Sequence, residues 1–327
     1  MPEDATLSAF RTPYKYGKLV LEKSGVAGAY DAEKVDCAFP FSADGRFYLM
    51  HIGFDGVGYQ TGLAVSDDLI AWEKLGVVFG RDSNSTYFQY NAAMTSILRD
   101  DNIESQGELK KVNGRYLGTW HAYPNPGYEE GAALIGLAWS DDLFHWEATE
   151  PILVAEEGAA WERGGLYKSY LVEADGVYYL FYNAKDSADW PWREQTGVAT
   201  STDLVTWTRY SGNPIIANGP EGAADELFAS DPFVVRKDGT WAVYYFGYDR
   251  ERLARDLLAL GPDPFHLTKV EEPMIDIGAR GSLDETHAHK AGMISRRGDL
   301  YHFYTAVSGA GSSEIRGISV ARSRPWK

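Results

Sequence analysis

"SDDLIAW", residues 66–72, is written again as "SDDLFHW" at 140–146 and as "STDLVTW" at 201–207. Each copy follows a short apolar run, "TGLAV", "IGLAW" or "TGVAT". Ser and Asp bond nearby backbone groups and so suit a turn that leaves a strand. Trp72, Trp146 and Trp207 then open an outer strand or pack beneath the turn. Weaker echoes, "GPDPFHL" at 261–267 and "RSRPW" at 322–326, extend the series. The chain is thus read as five units of roughly 60–75 residues.

Upstream of each phrase lies a hairpin pattern. The five versions are "FPFSADGRFYLMHIGF" (39–54), "KKVNGRYLGTWHAY" (110–123), "YLVEADGVYYLFYNA" (170–184), "FVVRKDGTWAVYYFGY" (233–248) and "GMISRRGDLYHFYTA" (292–306). Each joins an apolar strand to an aromatic one through a polar turn with Gly, and Asp-Gly and Asn-Gly fit tight hairpins because they accept φ > 0. Helical periodicity is scarce, and only "DRERLARDLLAL" (249–260) predicts a short helix. Four antiparallel strands repeated five times predict an all-β, five-bladed β-propeller filling residues 1–327 as a single domain. A pair of β-sandwiches does not explain the fixed long period.

The 327 residues are 44% hydrophobic and 14% aromatic, enough for a large core. A net charge of −16 makes nucleic acid and anionic membranes poor partners and a neutral or basic small molecule a better one. Cys37 is the lone cysteine, so no internal disulfide forms. "MPEDATLSAF" lacks the features of a signal peptide, and no apolar run approaches the roughly 20 residues of a membrane span. The expectation is a cytoplasmic protein, with a homo-oligomer compatible with the sequence. No zinc-type Cys/His spacing, P-loop or dinucleotide fingerprint occurs, and the Gly-rich "SGAGSSE" (308–314) lacks a following helix.

In a propeller the innermost strands converge on the axis, and their starts line a funnel. Counting back from the hairpin glycines finds those starts. Nine residues before Gly45 is Asp36, nine before Gly176 is Tyr167 with Lys168 beside it, eight before Gly239 is Asp231, and nine before Gly298 is His289, followed by Lys290. The second unit is less regular: "RDDNIESQGELKK" reads as an insertion, and its inner strand is expected in "YNAAMTSIL", with Asn91 at the start. Asp36 opens a very apolar strand, where a charge without a purpose is costly. Asp231 sits in "SDPF", which alone also reads as an ordinary strand start. His287 and His289 face the same side of a strand, as a polar rim, a metal site or a catalytic pair.

The "SDDLxxW" phrases with "DGxYYLFY" hairpins resemble the five-bladed glycosidases of glycoside hydrolase families 43, 32, 62, 68, 117 and 130, over nearly the whole chain. The resemblance is one of scaffold and says less of substrate. It implies a glycosidase. Family 43 places an acidic "DP" where Asp231 stands, but its Glu general acid aligns with His289. Glu285 is four residues away and out of register. Family 117, in which two aspartates and a histidine share the work, is the better likeness.

These observations lead to an expected exo-acting, inverting glycoside hydrolase with a small carbohydrate substrate. Asp36 is the expected base, His289 the acid with its pKa held near neutral by carboxylates, and Asp231 the group that tunes it. Glu162, in the loop entering unit three, is the rival acid. Lys168 and Lys290 bond sugar hydroxyls or pair with the aspartates. Tyr167, Asn91 and His287 complete the polar lining, and Trp120, Trp161, Trp190 and Trp192 are candidates to stack on sugar faces. No cofactor is required; members of this fold sometimes hold Ca²⁺ or another ion on the axis, and the histidines allow one. A glycoside phosphorylase like family 130, favoured by Lys168, Lys290 and Arg163, and a non-catalytic carbohydrate-binding propeller are the alternatives.

Overall fold

The computed structural model describes residues 7–127 and 129–327. The start of the stretch read for a leader, residues 1–6, lies outside them. Strand β1 (Tyr14–Glu22) comes first. Blade one is β2 (Lys34–Ala43), β3 (Arg46–Phe54), β4 (Tyr59–Ser66) and β5 (Glu73–Phe79). Blade two is β6 (Ala93–Ile97), the short β7 (Lys111–Val112), β8 (Arg115–Ala122), β9 (Leu134–Ser140) and β10 (Glu147–Leu153). Blade three is β11 (Gly165–Ala174), β12 (Val177–Lys185), β13 (Glu194–Ser201) and β14 (Thr208–Arg209). Blade four is β15 (Phe228–Lys237), β16 (Thr240–Tyr248), β17 (Ala254–Gly261) and β18 (Thr268–Lys269). Blade five is β19 (His287–Arg296), β20 (Asp299–Ser308) and β21 (Ile315–Arg322). Its outer strand is β1, which pairs antiparallel with β21 and ties the two ends of the chain together.

The repeated phrase is a turn that saturates its own backbone. Ser66 Oγ accepts from the N–H groups of Asp68 and Leu69 at 3.1 and 2.9 Å. Asp68 Oδ1 accepts from Ile70 and Ala71 at 2.8 Å. Trp72 donates its indole N–H to the Leu69 carbonyl at 3.3 Å. Ser140 with Asp142 and Ser201 with Asp203 repeat these bonds. Asp263 plays the aspartate part in "GPDPFHL", accepting from Phe265 and His266. The phrase therefore joins the third and outer strands of a blade. The five hairpin turns also share one backbone form, with φ > 0 at Asp44-Gly45, Asn113-Gly114, Asp175-Gly176, Asp238-Gly239 and Arg297-Gly298.

The expected helix at 249–260 is not formed. Ala254–Gly261 is the third strand of blade four, paired from Trp241–Gly261 to Tyr248–Ala254. Leu257, Leu258 and Ala259 are buried on both faces, and an unbroken apolar run of this kind has no readable period. Among the described residues only Leu7 and Ser8 are α-helical, and the other helical pieces are three 3₁₀ turns.

The insertion in blade two crosses the narrow end of the axis. Its backbone bonds to Ser42, Arg236 and Ser295, at the far ends of the inner strands of blades one, four and five. It carries Arg99 into the axis, where the guanidinium donates to the carbonyls of Pro40 (2.6 Å) and Met293 (2.9 Å) and to Tyr170 Oη (3.1 Å). Above it Phe39, Tyr170 and Phe233 meet with ring centroids 4.7 to 6.0 Å apart. The Arg99 guanidinium lies over Phe39 and Phe233 at 5.7 and 5.0 Å. The axis is thus plugged by three rings and a cation, and the funnel above is blind.

Candidate active site

Four inner strands break register at the same depth. Two residues of the inner strand face one of its neighbour between Asp36 and Phe39, Tyr167 and Tyr170, Ser230 and Phe233, and His289 and Gly292. The first extra residue has φ > 0 each time: Cys37 (58°), Lys168 (45°), Asp231 (54°) and Lys290 (68°). Non-glycine residues rarely take this conformation, and such bulges re-aim side chains beside functional sites. Here they turn Lys168, Asp231 and Lys290 into the wide end of the funnel. Asp231 is the structural equivalent of Cys37 and the two lysines, one place later than Asp36, Tyr167 and His289. The count of eight rather than nine residues before its hairpin glycine reflects this.

The funnel encloses about 190 Å³. Asp36, Tyr167, Lys168, Asp231, His287, His289 and Lys290 all line it. Asp36 is saturated with donors. Its Oδ2 lies 3.0 Å from both Lys290 Nζ and Arg316 Nη1. Its Oδ1 accepts from the Thr305 hydroxyl at 2.6 Å and from the Cys37 N–H at 2.8 Å. Burial works against ionisation, but Lys290, Arg316, His289 and Thr305 outweigh it and hold the carboxyl well below its ordinary range. Asp231 goes the other way. Burial pushes it up to about 6 against the pull of Lys290 and Lys168, with Glu194 and Asp36 adding to the rise. Its oxygens have only the Ser230 hydroxyl at 3.2 Å and Lys290 Nζ at 3.9 Å.

His289 does not hold the near-neutral pKa expected of it. Burial, with Lys290 opposing a second charge, drives it well below 6.5, and the attraction of Asp36 does not compensate. Its Nδ1 lies 3.2 Å from the Thr305 carbonyl. A carbonyl only accepts, so Nδ1 bears the proton and Nε2 is left as an acceptor. An imidazole so held accepts a hydroxyl proton rather than supplying an acidic one. His287 is likewise lowered, to about 4, by burial and by Arg316.

Other expected residues lie elsewhere. Glu162 is buried in a 3₁₀ turn, paired with Arg209 Nε at 2.8 Å and accepting from Tyr182 Oη at 3.2 Å; it holds the edge of blade three and is not in the funnel lining. Asn91 is buried between blades and accepts the Tyr59 N–H at 2.9 Å. Trp120 is fully buried and donates to the Leu137 carbonyl at 2.8 Å. Trp161 stacks on Tyr182 at 6.0 Å within blade three. Trp190 is 53% exposed and packs edge-on against Trp192. Of the tryptophans, Trp192 lines the cavity, parallel to Phe228 at 6.3 Å.

Glu129, Glu194, Arg316, Tyr59 and His121 line the funnel and were not singled out from the sequence. Three of them begin third strands or nearly so: Tyr59 opens β4, Glu194 opens β13 and Arg316 is the second residue of β21. His121 is the last residue but one of a second strand, β8. In an up-and-down blade the start of strand one, the end of strand two and the start of strand three share one end. Counting only inner strands misses two thirds of that rim. Glu194 is held by the Trp192 indole (2.8 Å), the Ser230 hydroxyl (2.7 Å) and Asn183 Nδ2 (3.2 Å). Glu129 accepts from Tyr59 Oη at 2.5 Å, and burial raises its pKa.

Comparison with known proteins agrees with this architecture. Residues 107–257 match the model of the glycosyl hydrolases family 32 N-terminal domain. A stretch of 149 residues is 30% identical to a 1,2-beta-oligomannan phosphorylase of Thermoanaerobacter sp. (strain X514); it covers 44% of this chain and only 40% of that protein's length. The solved BT0996 RGII complex superposes with a TM-score of 0.83 at 28% identity, over 98% of this chain and 94% of that one. A second solved structure, a glycoside hydrolase, gives 0.83 at 26% identity over 99% and 95%. With blade count, closure and funnel in agreement with these likenesses, this protein belongs to the five-bladed β-propeller superfamily of glycoside hydrolases and phosphorylases.

Proposed function

We propose that this protein is an exo-acting, inverting glycoside hydrolase in which Asp231 protonates the leaving oxygen and Asp36 serves as the ionised carboxylate. The observation that supports this reading most is that the environments of these two carboxyls push their pKa values apart, Asp231 up to about 6 and Asp36 well down. Such a division assigns acid and base roles at a pH where free carboxyls would both be ionised. Lys290 bridges them and keeps their near oxygens within about 7 Å, a span that includes the short end of the roughly 6.5–9.5 Å of an inverting site and also the shorter separation of a retaining one, so the product anomer decides between them. Water attacks the anomeric carbon and gives its proton to Asp36 Oδ2, for which Lys290 or Arg316 gives up its bond to that oxygen. The glycosidic C–O bond breaks, and Asp231 supplies the proton that the departing oxygen takes. Asp36 is a weak base by its low pKa, but its position is held from four sides, and placement substitutes for basicity. The blind floor supports an exo mode, because a chain cannot thread past it. The neutral His289 and His287 suit sugar hydroxyls.

The test is a panel of oligosaccharides and aryl glycosides in phosphate-free buffer, with the product anomer read by NMR. Release of a terminal sugar with inverted configuration is the expected result. Turnover that appears only on adding inorganic phosphate would replace hydrolysis by phosphorolysis, which the partial likeness to an oligomannan phosphorylase favours.

A further inference from the structure

We infer that Lys168 is an anion-recognition residue, and that the terminal sugar taken by the funnel bears a carboxylate, as in a uronic acid. The inference rests on the glycosidase reading above and deepens it.

The funnel and its wall contain four cations, and three have partners. Lys290 and Arg316 both bind Asp36 at 3.0 Å, and Arg316 also binds Glu314 at 3.0 Å. Lys185 is caged by the rings of Trp192, Tyr123 and Tyr167, with Nζ 4.8, 5.3 and 6.0 Å from their centroids. Lys168 differs. It is only 7% exposed, lines the cavity, and its ammonium has neither a hydrogen bond nor an ion pair with any described residue. Its backbone N–H is held by His121 Nδ1 at 3.3 Å, so the strained bulge that aims the side chain is itself braced. A buried ammonium that no carboxylate contacts directly is costly, and the cost is relieved most by an anion.

The other charged groups of the lining have partners of their own: Asp36 holds Lys290 and Arg316, Glu194 takes three donors and Glu129 takes the Tyr59 hydroxyl. The carboxyls of the lining are Asp36, Glu129, Glu194 and Asp231, against Lys168, Lys290 and Arg316. Asp231 and Glu129 are displaced toward the protonated state. Lys290 and Arg316 are both engaged by Asp36, so the cation left for a ligand is Lys168. A sugar hydroxyl would leave that charge uncompensated; a planar carboxylate on the ring meets it. A phosphate ion offers the same oxyanion chemistry, and the experiment separates the two.

Binding of glucuronate and galacturonate, of glucose and galactose, and of inorganic phosphate is measured by isothermal titration calorimetry on the wild type, Lys168→Met and Lys168→Arg. Hydrolysis of the matching 4-nitrophenyl uronides and neutral glycosides is measured in parallel. The expected result is that the wild type binds at least one uronate at least tenfold more tightly than its neutral parent. Lys168→Met should abolish that ratio and Lys168→Arg should keep most of it. No uronate preference in the wild type, or a preference that survives in Lys168→Met, overturns the inference. Phosphate binding that depends on Lys168, without uronate binding, also overturns it and assigns the residue to phosphate. Because binding is read without turnover, a protein that binds uronates through Lys168 yet hydrolyses nothing would sink the catalytic reading and leave this one standing.

Discussion

Asp36 and Lys290 are 254 residues apart in the chain and meet with Oδ2 3.0 Å from Nζ, across the seam where blade five closes on blade one. The same ammonium lies 3.9 Å from Asp231 of blade four. One lysine, aimed by a left-handed backbone, thus ties together the two carboxyls with opposed pKa values.

Asp36→Asn should lose both activity and stability. Loss of general-base help costs on the order of 10²–10⁴-fold in kcat. The variant also leaves Lys290 and Arg316 facing a neutral amide, and breaking a largely buried ion pair costs about 3 kcal/mol. Because the folded-state pKa is depressed, the stabilisation is complete above the unfolded value and fades as pH falls through the lower folded one. Urea unfolding should show the full deficit at pH 7 and a shrinking one in strong acid. Equal stability at pH 7 would mean that the cations find other partners.

Asp231→Asn should separate function from stability. Its raised pKa means that ionisation opposes folding, so the native state loses stability as pH rises from about 4 to about 6. The Asn variant is spared that loss and should melt higher than wild type at pH 7.5. Its kcat should fall on the natural glycoside by on the order of 10²–10⁴-fold and much less on a 4-nitrophenyl glycoside, whose leaving group departs without a proton. Equal losses on both substrates would remove Asp231 from the acid role.

The same group sets the pH profile. With an acid of pKa about 6, kcat/KM should decline as pH rises above that value. The limb should vanish in Asp231→Asn with the activated substrate. A limb that persists there belongs to another group, with Glu129 the first to examine since burial raises it also.

Trp120→Ala and Trp192→Ala should divide along the line the structure draws. Trp120 is fully buried in the core, and its truncation should cost about 3–5 kcal/mol. Trp192 borders the funnel beside Phe228, and its truncation should raise KM with a much smaller change in Tm.

Arg99→Lys should be a poor replacement. The guanidinium serves two carbonyls and a phenol in three directions while lying over two rings. An ammonium cannot span that fork, and an acceptor left unpaired in the core costs about 1–3 kcal/mol. The readout is Tm, and a melting temperature equal to wild type would show that the axial plug tolerates repacking.

The sequence by itself determined the blades. A phrase such as "SDDLIAW" makes its bonds within seven residues, and the Asp-Gly and Asn-Gly turns need no partner to demand φ > 0. These local signals survive in the linear text and repeat with it. The counted glycines also located Asp36, Tyr167, Lys168, Asp231, His289 and Lys290 at one depth, because the inner strands of blades one, three, four and five are each ten residues long. Local reading failed where neighbours decide. "ARDLLAL" is a strand because Trp241–Tyr248 lies beside it, and Trp120 and Glu162 are interior because other strands cover them. The far rim, with Glu194 and Arg316, comes from third strands whose starts lie at the funnel only once the blade is folded. The protonation states are the most tertiary property of all. Asp36, Asp231 and His289 are displaced by burial and by charges contributed from different blades, and an electrostatic field made by residues more than 200 positions apart has no signature in any one stretch of sequence.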